Sequence, residues 1–176
     1  MELRTCREIV EKIVMQLTVF WGGELADGVA DQLKQEAPDG FEVEVVAMQS
    51  YGKSDLEAFK ETQMVAVFLL QTAENNQPPE DASKFLRYFK RKTHPETMLT
   101  DKLKFAVLGL GDSNLLLDRQ TTGAKDCNAC GQLLDSRLEA LGATRIHELG
   151  LADERTGMEE VEPWIKGLWE ALGKIE

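Results

Sequence analysis

The chain has 176 residues, 43% of them hydrophobic, which is enough for one domain with a core of its own. Its 31 acidic and 20 basic residues give a net charge of -11, which disfavours nucleic acid and anionic membrane surfaces as partners and suits a basic protein. Three cysteines are too few for a secreted disulfide framework, and no apolar run has the roughly 20 residues of a membrane span, so we expect a cytoplasmic protein.

Residues 1–15 predict a leading amphipathic helix, because apolar residues recur there at spacings of three and four. Residues 16–176 then predict a single domain in which strands and helices alternate. In chain order these are strand 16–21, helix 24–36, strand 41–48, helix 55–61, strand 64–71, helix 83–92, strand 103–112, helix 125–143, strand 144–151 and helix 161–172. The third strand has no polar residue before its last one, which is typical of a central parallel strand covered on both faces.

Five strands that alternate with helices predict a three-layer α/β sandwich around a five-stranded parallel sheet. In such a sheet the ligand crevice lies beyond the carboxyl ends of the strands, where the strand order reverses. The polar loops after the third and fourth strands are longer than the common four to six residues, roughly, of a connection. They are therefore candidate binding surfaces, although ordinary loop variation would also explain their length.

Several segments together resemble the FMN-binding, flavodoxin-like domain of the diflavin reductases. The resemblance is carried by "KFAVLGLGDSN", "LDSRLEALGATRIHELGLADE", "EVEPWIKGLWEAL" and "PPEDASKF", and it covers nearly the whole chain after residue 16. It implies the strand order 2-1-3-4-5 and an FMN held without a covalent bond. It further implies electrons arriving from an FAD/NADPH reductase domain or protein and leaving for an acceptor protein.

The resemblance also implies the residues that would hold FMN. By position, the phosphate would lie at Gly22 and Gly23, and Asp153 aligns with an acidic residue of the same pocket. The flavin ring would lie between two loops, whose candidate residues are Thr72, Ala73, Glu74, Asn75, Asn76, Leu110, Gly111, Asp112, Asn114 and Leu115. The resemblance implies neither a catalytic side chain nor a metal site.

Three departures from the family pattern concern these same positions. The family has a loop rich in Ser, Thr and Gly around the phosphate, but here Gly22 and Gly23 alone separate the first strand from Glu24. Ala73 stands where the family has an aromatic residue, and Leu115 stands where it has a stacking tyrosine. Each lost ring removes about 0.5 to 1.5 kcal/mol of stacking energy beyond that of its buried area. Either the domain no longer holds FMN well, or residues are missing from the sequence at the first junction.

Three functions remain open on the sequence alone. The first is an FMN-type electron-transfer domain of a diflavin-type reductase. The second is an interaction module with a degenerate pocket and an acidic docking surface, which Asp153, Glu154, Glu159, Glu160 and Glu162 would form for a basic electron-acceptor protein. A solvated helix start explains that acidic set almost as well. The third is a thiol redox protein that uses the C-x-x-C pair Cys127 and Cys130, although buried structural cysteines are the simpler interpretation.

Overall fold

The computed structural model describes residues 13–117 and 122–175. Most of the predicted leading helix, residues 1–12, lies outside the described residues. Its described end is not helical: Ile13 and Val14 have no regular structure, and the first strand begins at Met15. The first strand therefore starts one residue earlier than predicted.

One parallel sheet forms the middle layer of the molecule. Its strands are β1 (Met15–Gly22), β2 (Phe41–Ala47), β3 (Met64–Gln71), β4 (Leu103–Gly111), β5 (Thr144–Arg145) and β6 (Gly150–Asp153). Neighbours are ordered β2-β1-β3-β4-β5, and β6 also pairs with β4. The order 2-1-3-4-5 that the family resemblance implied is thus confirmed, and β3 has the predicted bounds.

The predicted fifth strand is divided, because the chain leaves the sheet between β5 and β6. At this break the indole N–H of Trp164 donates to the carbonyl oxygen of Glu148 at 2.8 Å. The ring nitrogen Nε2 of His147 in turn bonds the carbonyl oxygen of Trp164 at 3.1 Å. Gly150 then restarts the strand where a Cβ would lie only 2.4 Å from the Trp164 ring. Trp164 thus takes a backbone acceptor that a continuous strand would offer to β4.

Helices cover both faces of the sheet, as the predicted sandwich requires. They are α1 (Glu24–Gln35), α2 (Lys53–Glu57), α3 (Glu80–Phe89), α4 (Ala129–Ala140) and α5 (Val161–Leu172). The layer of α1 and α5 packs against Val67 and Leu69 of β3, and the layer of α2, α3 and α4 packs against Phe68 and Leu70. This alternation follows from the two-residue period of a strand.

The two layers differ in their aromatic residues. Phe20 is fully buried in the α2–α4 layer, and its ring centroid lies 5.3 Å from that of Phe68 in a stacked arrangement. Tyr51, Phe59, Phe85 and Phe89 extend the same cluster. All three tryptophans of the chain, Trp21, Trp164 and Trp169, belong to the opposite layer of α1 and α5.

Candidate functional site

The carboxyl edge of the sheet is the end at which β1, β3, β4 and β6 stop, at Gly22, Gln71, Gly111 and Asp153. The register places Gly22 beside Leu70, Gln71 beside Leu110 and Gly111 beside Asp153. The four loops that leave these strands therefore start side by side. This is the edge at which the sequence predicts a ligand crevice.

The first of these connections, the α1 junction (residues 22–25), is very short. Gly23 alone joins β1 to α1, and it adopts a φ of 99°, which a glycine reaches without strain. The N–H of Gly23 donates to both carboxylate oxygens of Asp81, at 3.0 and 3.2 Å. The N–H of Leu25 donates to the side-chain oxygen of Gln71 at 3.1 Å. Amides at the start of α1 are thus satisfied by the chain itself.

Neither glycine of the α1 junction leaves room beside it. A Cβ on Gly22 would lie 2.5 Å from the Cβ of Ala82, and one on Gly23 would lie 2.4 Å from the Cβ of Gln71. The strand and the helix therefore meet through Gly23 in a closely packed turn.

The phosphate of FMN does not fit the α1 junction as it stands. A phosphate at a helix start binds through backbone N–H groups that point at it. Here the N–H of Gly23 already holds a carboxylate, and Glu24 places a second, exposed acidic side chain at the same helix start. A phosphate would therefore have to displace Asp81 and tolerate Glu24, two negative charges that oppose it.

The loop after β3 folds back on itself. Thr72 is buried, and its hydroxyl oxygen accepts a hydrogen bond from the N–H of Cys130 at 3.1 Å. The N–H of Ala73 donates to the carbonyl oxygen of Gln77 at 2.7 Å, while Asn75 and Asn76 take left-handed φ values of 56° and 57°. The side chains of Glu74, Asn75 and Asn76 are exposed. The loop presents polar groups but no ring on which a flavin could stack.

The loop after β4 forms a tight turn. A carboxylate oxygen of Asp112 accepts from the N–H of Asn114 at 2.9 Å, and Ser113 between them is buried. Gly111 lies so close to the Cys127 carbonyl that a Cβ there would be 2.3 Å from its oxygen. Leu115, by contrast, is 47% exposed. Leu115 thus lies on the surface, where the family would have a stacking tyrosine.

Asp153 connects two of these loops. It is 1% exposed, and one of its oxygens accepts from the N–H of Ser113 at 2.9 Å and from the N–H of Arg155 at 3.1 Å. Burial raises the pKa of Asp153, but the hydrogen bonds from Ser113 and Arg155 and the charge of Arg155 outweigh it and leave the pKa below its usual value. Through Oδ1 the carboxylate therefore holds the loops after β4 and β6 together, while its buried Oδ2 makes no hydrogen bond within the described residues and lies 3.8 Å from Nε of Arg155.

The C-x-x-C pair lies just below the carboxyl edge. Cys127 precedes α4, which begins at Ala129 and not at residue 125 as predicted, and Cys130 lies in the first turn. Both are buried free thiols. Burial, together with the nearby charge of Asp153, raises the pKa of Cys127 to about 12, and burial raises the pKa of Cys130. Such thiols stay protonated at neutral pH, which argues against a thiol-based redox function.

Comparison with known proteins identifies the family to which this chain belongs. The family described as flavodoxin matches residues 25–164, which is most of the chain. The chain belongs to the flavodoxin family. A variant of the flavodoxin from Pseudomonas aeruginosa has a similar fold, with a TM-score of 0.63 and 18% sequence identity over 90% of this chain and 99% of that one.

Relatives of this flavodoxin-family chain include two kinds of reductase. It is 37% identical to methionine synthase reductase from Bos taurus over 151 residues, which are 85% of this chain and 20% of the relative. It is 30% identical to NADPH–cytochrome P450 reductase from Sus scrofa over 170 residues, 94% of this chain and 23% of that protein. The chain thus spans about a fifth of the length of these relatives.

Sequence reasoning missed two residues of the flavodoxin-family site. Asp81 and Gln71 hold the α1 junction, but each lies at least 46 residues from the amide that it contacts. The fold offered one signal, because the end of β3 and the start of α3 lie beside the start of α1. Asp81, the second residue after Pro78 and Pro79 and in the first turn of α3, could have been considered as a partner for the start of α1.

The predicted acidic set of the flavodoxin-family domain divides in two. Glu154, Glu159 and Glu162 are exposed, whereas Asp153 is buried and Glu160 is partly buried against the N–H of Asp153. In the loop after β4, Leu117 is fully exposed and Leu115 is exposed in part. The carboxyl edge therefore exposes acidic and apolar side chains, with Lys125 and Arg155 as exposed basic residues among them.

A groove of about 820 Å³ lies at the other end of the sheet, where Met15, Met64 and Leu103 begin their strands. It is remote from the carboxyl edge. Within residues 13–117 and 122–175, no three potential metal ligands are grouped, and no helix has both the length and the apolar character needed to cross a bilayer.

Proposed function

We propose that this chain is a docking module of an electron-transfer system of the diflavin-reductase type, and that it does not hold FMN tightly. The observation that carries the proposal is the α1 junction, where Asp81 and Gln71 occupy backbone donors that a phosphate would need. Charge-assisted hydrogen bonds from such backbone N–H groups anchor a phosphorylated ligand, so a ligand that cannot form them binds more weakly.

The ring side of the crevice supports the same conclusion. The loops at residues 72–76 and 110–117 contain no aromatic residue, and Leu115 is exposed at the stacking position. Asp153 is committed to backbone donors of the loops after β4 and β6. A flavin at this edge would therefore lack both its phosphate anchor and its stacking partners.

The same edge has the composition of a docking surface. We define the acidic docking surface as Glu154, Glu159 and Glu162 with the exposed Leu115 and Leu117. Acidic side chains steer a basic protein towards the edge, and exposed leucines supply apolar contact area once it has arrived. The relatives named above are reductases, which supports an FAD/NADPH reductase domain as a partner, and the net charge of -11 supports a basic electron acceptor. We place the protein in the cytoplasm.

Flavin binding is tested by an absorption spectrum of the purified chain, followed by titration with FMN. We expect a colourless protein and no saturable change at high micromolar flavin. A yellow protein that retains FMN through gel filtration would refute the loss of tight binding.

Docking is tested separately, by binding of the isolated FAD/NADPH domain of methionine synthase reductase. Replacing Glu154, Glu159 and Glu162 by Lys should weaken binding about tenfold at low salt, because the lysine-substituted surface repels a basic partner surface. Glu36, Glu61 and Glu96 are exposed near the opposite end of the sheet, and their replacement by Lys is the matched control because it changes the net charge by the same amount. Equal losses in both variants would show that only net charge matters.

The second candidate is an FMN-carrying electron-transfer domain. Family membership and the meeting of the β3 and β4 loops at the carboxyl edge favour it. The FMN titration distinguishes the two candidates, since only this one requires tight binding.

A further inference from the structure

We infer that Asp81 is an internal substitute for an anionic ligand, and that it closes the start of α1 to phosphate. The inference rests on the same α1 junction as the proposed loss of tight FMN binding, but it does not depend on docking. It assigns to Asp81 a function that the sequence pattern did not indicate.

The carboxylate of Asp81 has the chemistry of the group that it replaces. Both of its oxygens lie within hydrogen-bond distance of the Gly23 N–H, at 3.0 and 3.2 Å. Asp81 also belongs to the first turn of α3. The negative charge is thus placed at the start of α1 and at the start of α3, and both helix dipoles favour an anion there.

Gln71 completes the closure. Its side-chain oxygen accepts from the N–H of Leu25 at 3.1 Å, and its side chain fills the space beside Gly23. The α1 junction therefore has a charged acceptor on one amide and a neutral acceptor on another. Both acceptors come from the end of β3 and the start of α3, so that closure is built into the fold.

A tethered carboxylate has a large advantage over a dissolved anion. Asp81 is held at the junction by α3, and it meets the Gly23 N–H at a high effective concentration. A free phosphate would lose translational freedom on binding and would also have to expel a like charge. The unmodified chain should therefore not bind phosphate, whereas removal of the carboxylate leaves the Gly23 N–H without its acceptor.

The test follows the Gly23 amide resonance while inorganic phosphate is added to the ¹⁵N-labelled chain at constant pH and ionic strength. The variants are Asp81→Ala, Asp81→Asn and Glu80→Ala. Glu80 is the exposed neighbour of Asp81 in the same turn, so its variant removes a charge and leaves the Gly23 contact in place. In Asp81→Ala we expect a saturable shift, with an affinity at least about tenfold above that of the unmodified chain.

The remaining outcomes are equally decisive. Asp81→Asn should respond less than Asp81→Ala, because its amide can still accept from Gly23 but carries no charge. Glu80→Ala should behave like the unmodified chain. The inference is overturned if the unmodified chain binds phosphate as well as Asp81→Ala does, or if a folded Asp81→Ala shows no response. Should Asp81→Ala fail to fold, Asp81→Asn is judged against the unmodified chain by the same criterion.

Discussion

Asp153→Asn tests whether the buried carboxylate holds the carboxyl edge together. Asp153 accepts two backbone hydrogen bonds, from Ser113 at 2.9 Å and from Arg155 at 3.1 Å. A hydrogen bond to a charged group contributes about 1.5 to 3 kcal/mol, and a neutral one about 0.5 to 1.5 kcal/mol. An amide of the same shape therefore loses roughly 1 kcal/mol per bond, and we expect the free energy of unfolding to fall by about 2 kcal/mol at pH 7.

The pH dependence of this loss identifies its cause. The pKa of Asp153 is lowered in the folded state, so its ionised form stabilises the fold above the unfolded pKa of about 4. That contribution disappears as the pH falls through the folded pKa, because the native chain then carries a protonated Asp153. The difference between the two chains should therefore shrink in acid.

Urea unfolding at pH 7 and at successively lower pH measures the loss of unfolding free energy and its pH dependence. Asp112→Asn is the matched control, because Asp112 accepts a local bond from Asn114 in a less buried turn and should cost less than about 1 kcal/mol. Equal losses for Asp153→Asn and Asp112→Asn at pH 7 would refute the reasoning. So would a loss at Asp153 that persists unchanged below its folded pKa.

The glycine junction, the aromatic layer and the buried thiols each give a further prediction. Gly23→Ala should be less stable to urea than Gly40→Ala by about 1 to 3 kcal/mol. Both residues have φ near 100°, but only the new methyl at Gly23 meets another side chain, so equal losses would contradict the packing. Phe20→Ala should lower the free energy of unfolding by about 3 to 5 kcal/mol, since its ring is fully buried; a loss below 1 kcal/mol, roughly, would be inconsistent with that burial. In a variant that lacks Cys6, Cys127 and Cys130 should react with a thiol reagent at pH 8 only as fast as the domain opens. Reaction at the rate seen in urea would show that they are accessible.

Most of the fold could be predicted because local patterns determine it. The apolar run of β3 gave its bounds, Met64–Gln71, without any knowledge of its neighbours. The break between β5 and β6 could not be predicted from local pattern. At the break the indole of Trp164 in α5 binds the carbonyl oxygen of Glu148, and the two residues are 16 positions apart in the sequence. α4 begins at Ala129, later than predicted, and the residues before it form a turn in which the Asp126 carboxylate accepts a hydrogen bond from the N–H of Gly123.

The position of the candidate site was predictable, but its closure was not. The topology rule places a crevice at the carboxyl ends of parallel strands, and the loops after β1, β3, β4 and β6 do meet there. The short first connection was visible as two adjacent glycines. The contact between Gly23 and Asp81 was not, since they are 58 residues apart and only the packing of α3 brings them together.

The uneven placement of the tryptophans decides what an optical experiment on this protein reports. Trp21, Trp164 and Trp169 all pack with α1 and α5, so tryptophan emission monitors one side of the sheet and contains no probe of the phenylalanine-rich side. A fluorescence melt alone would therefore overlook a partial detachment of α2, α3 and α4. Its agreement with a melt followed by circular dichroism is the criterion for both layers unfolding in one cooperative step.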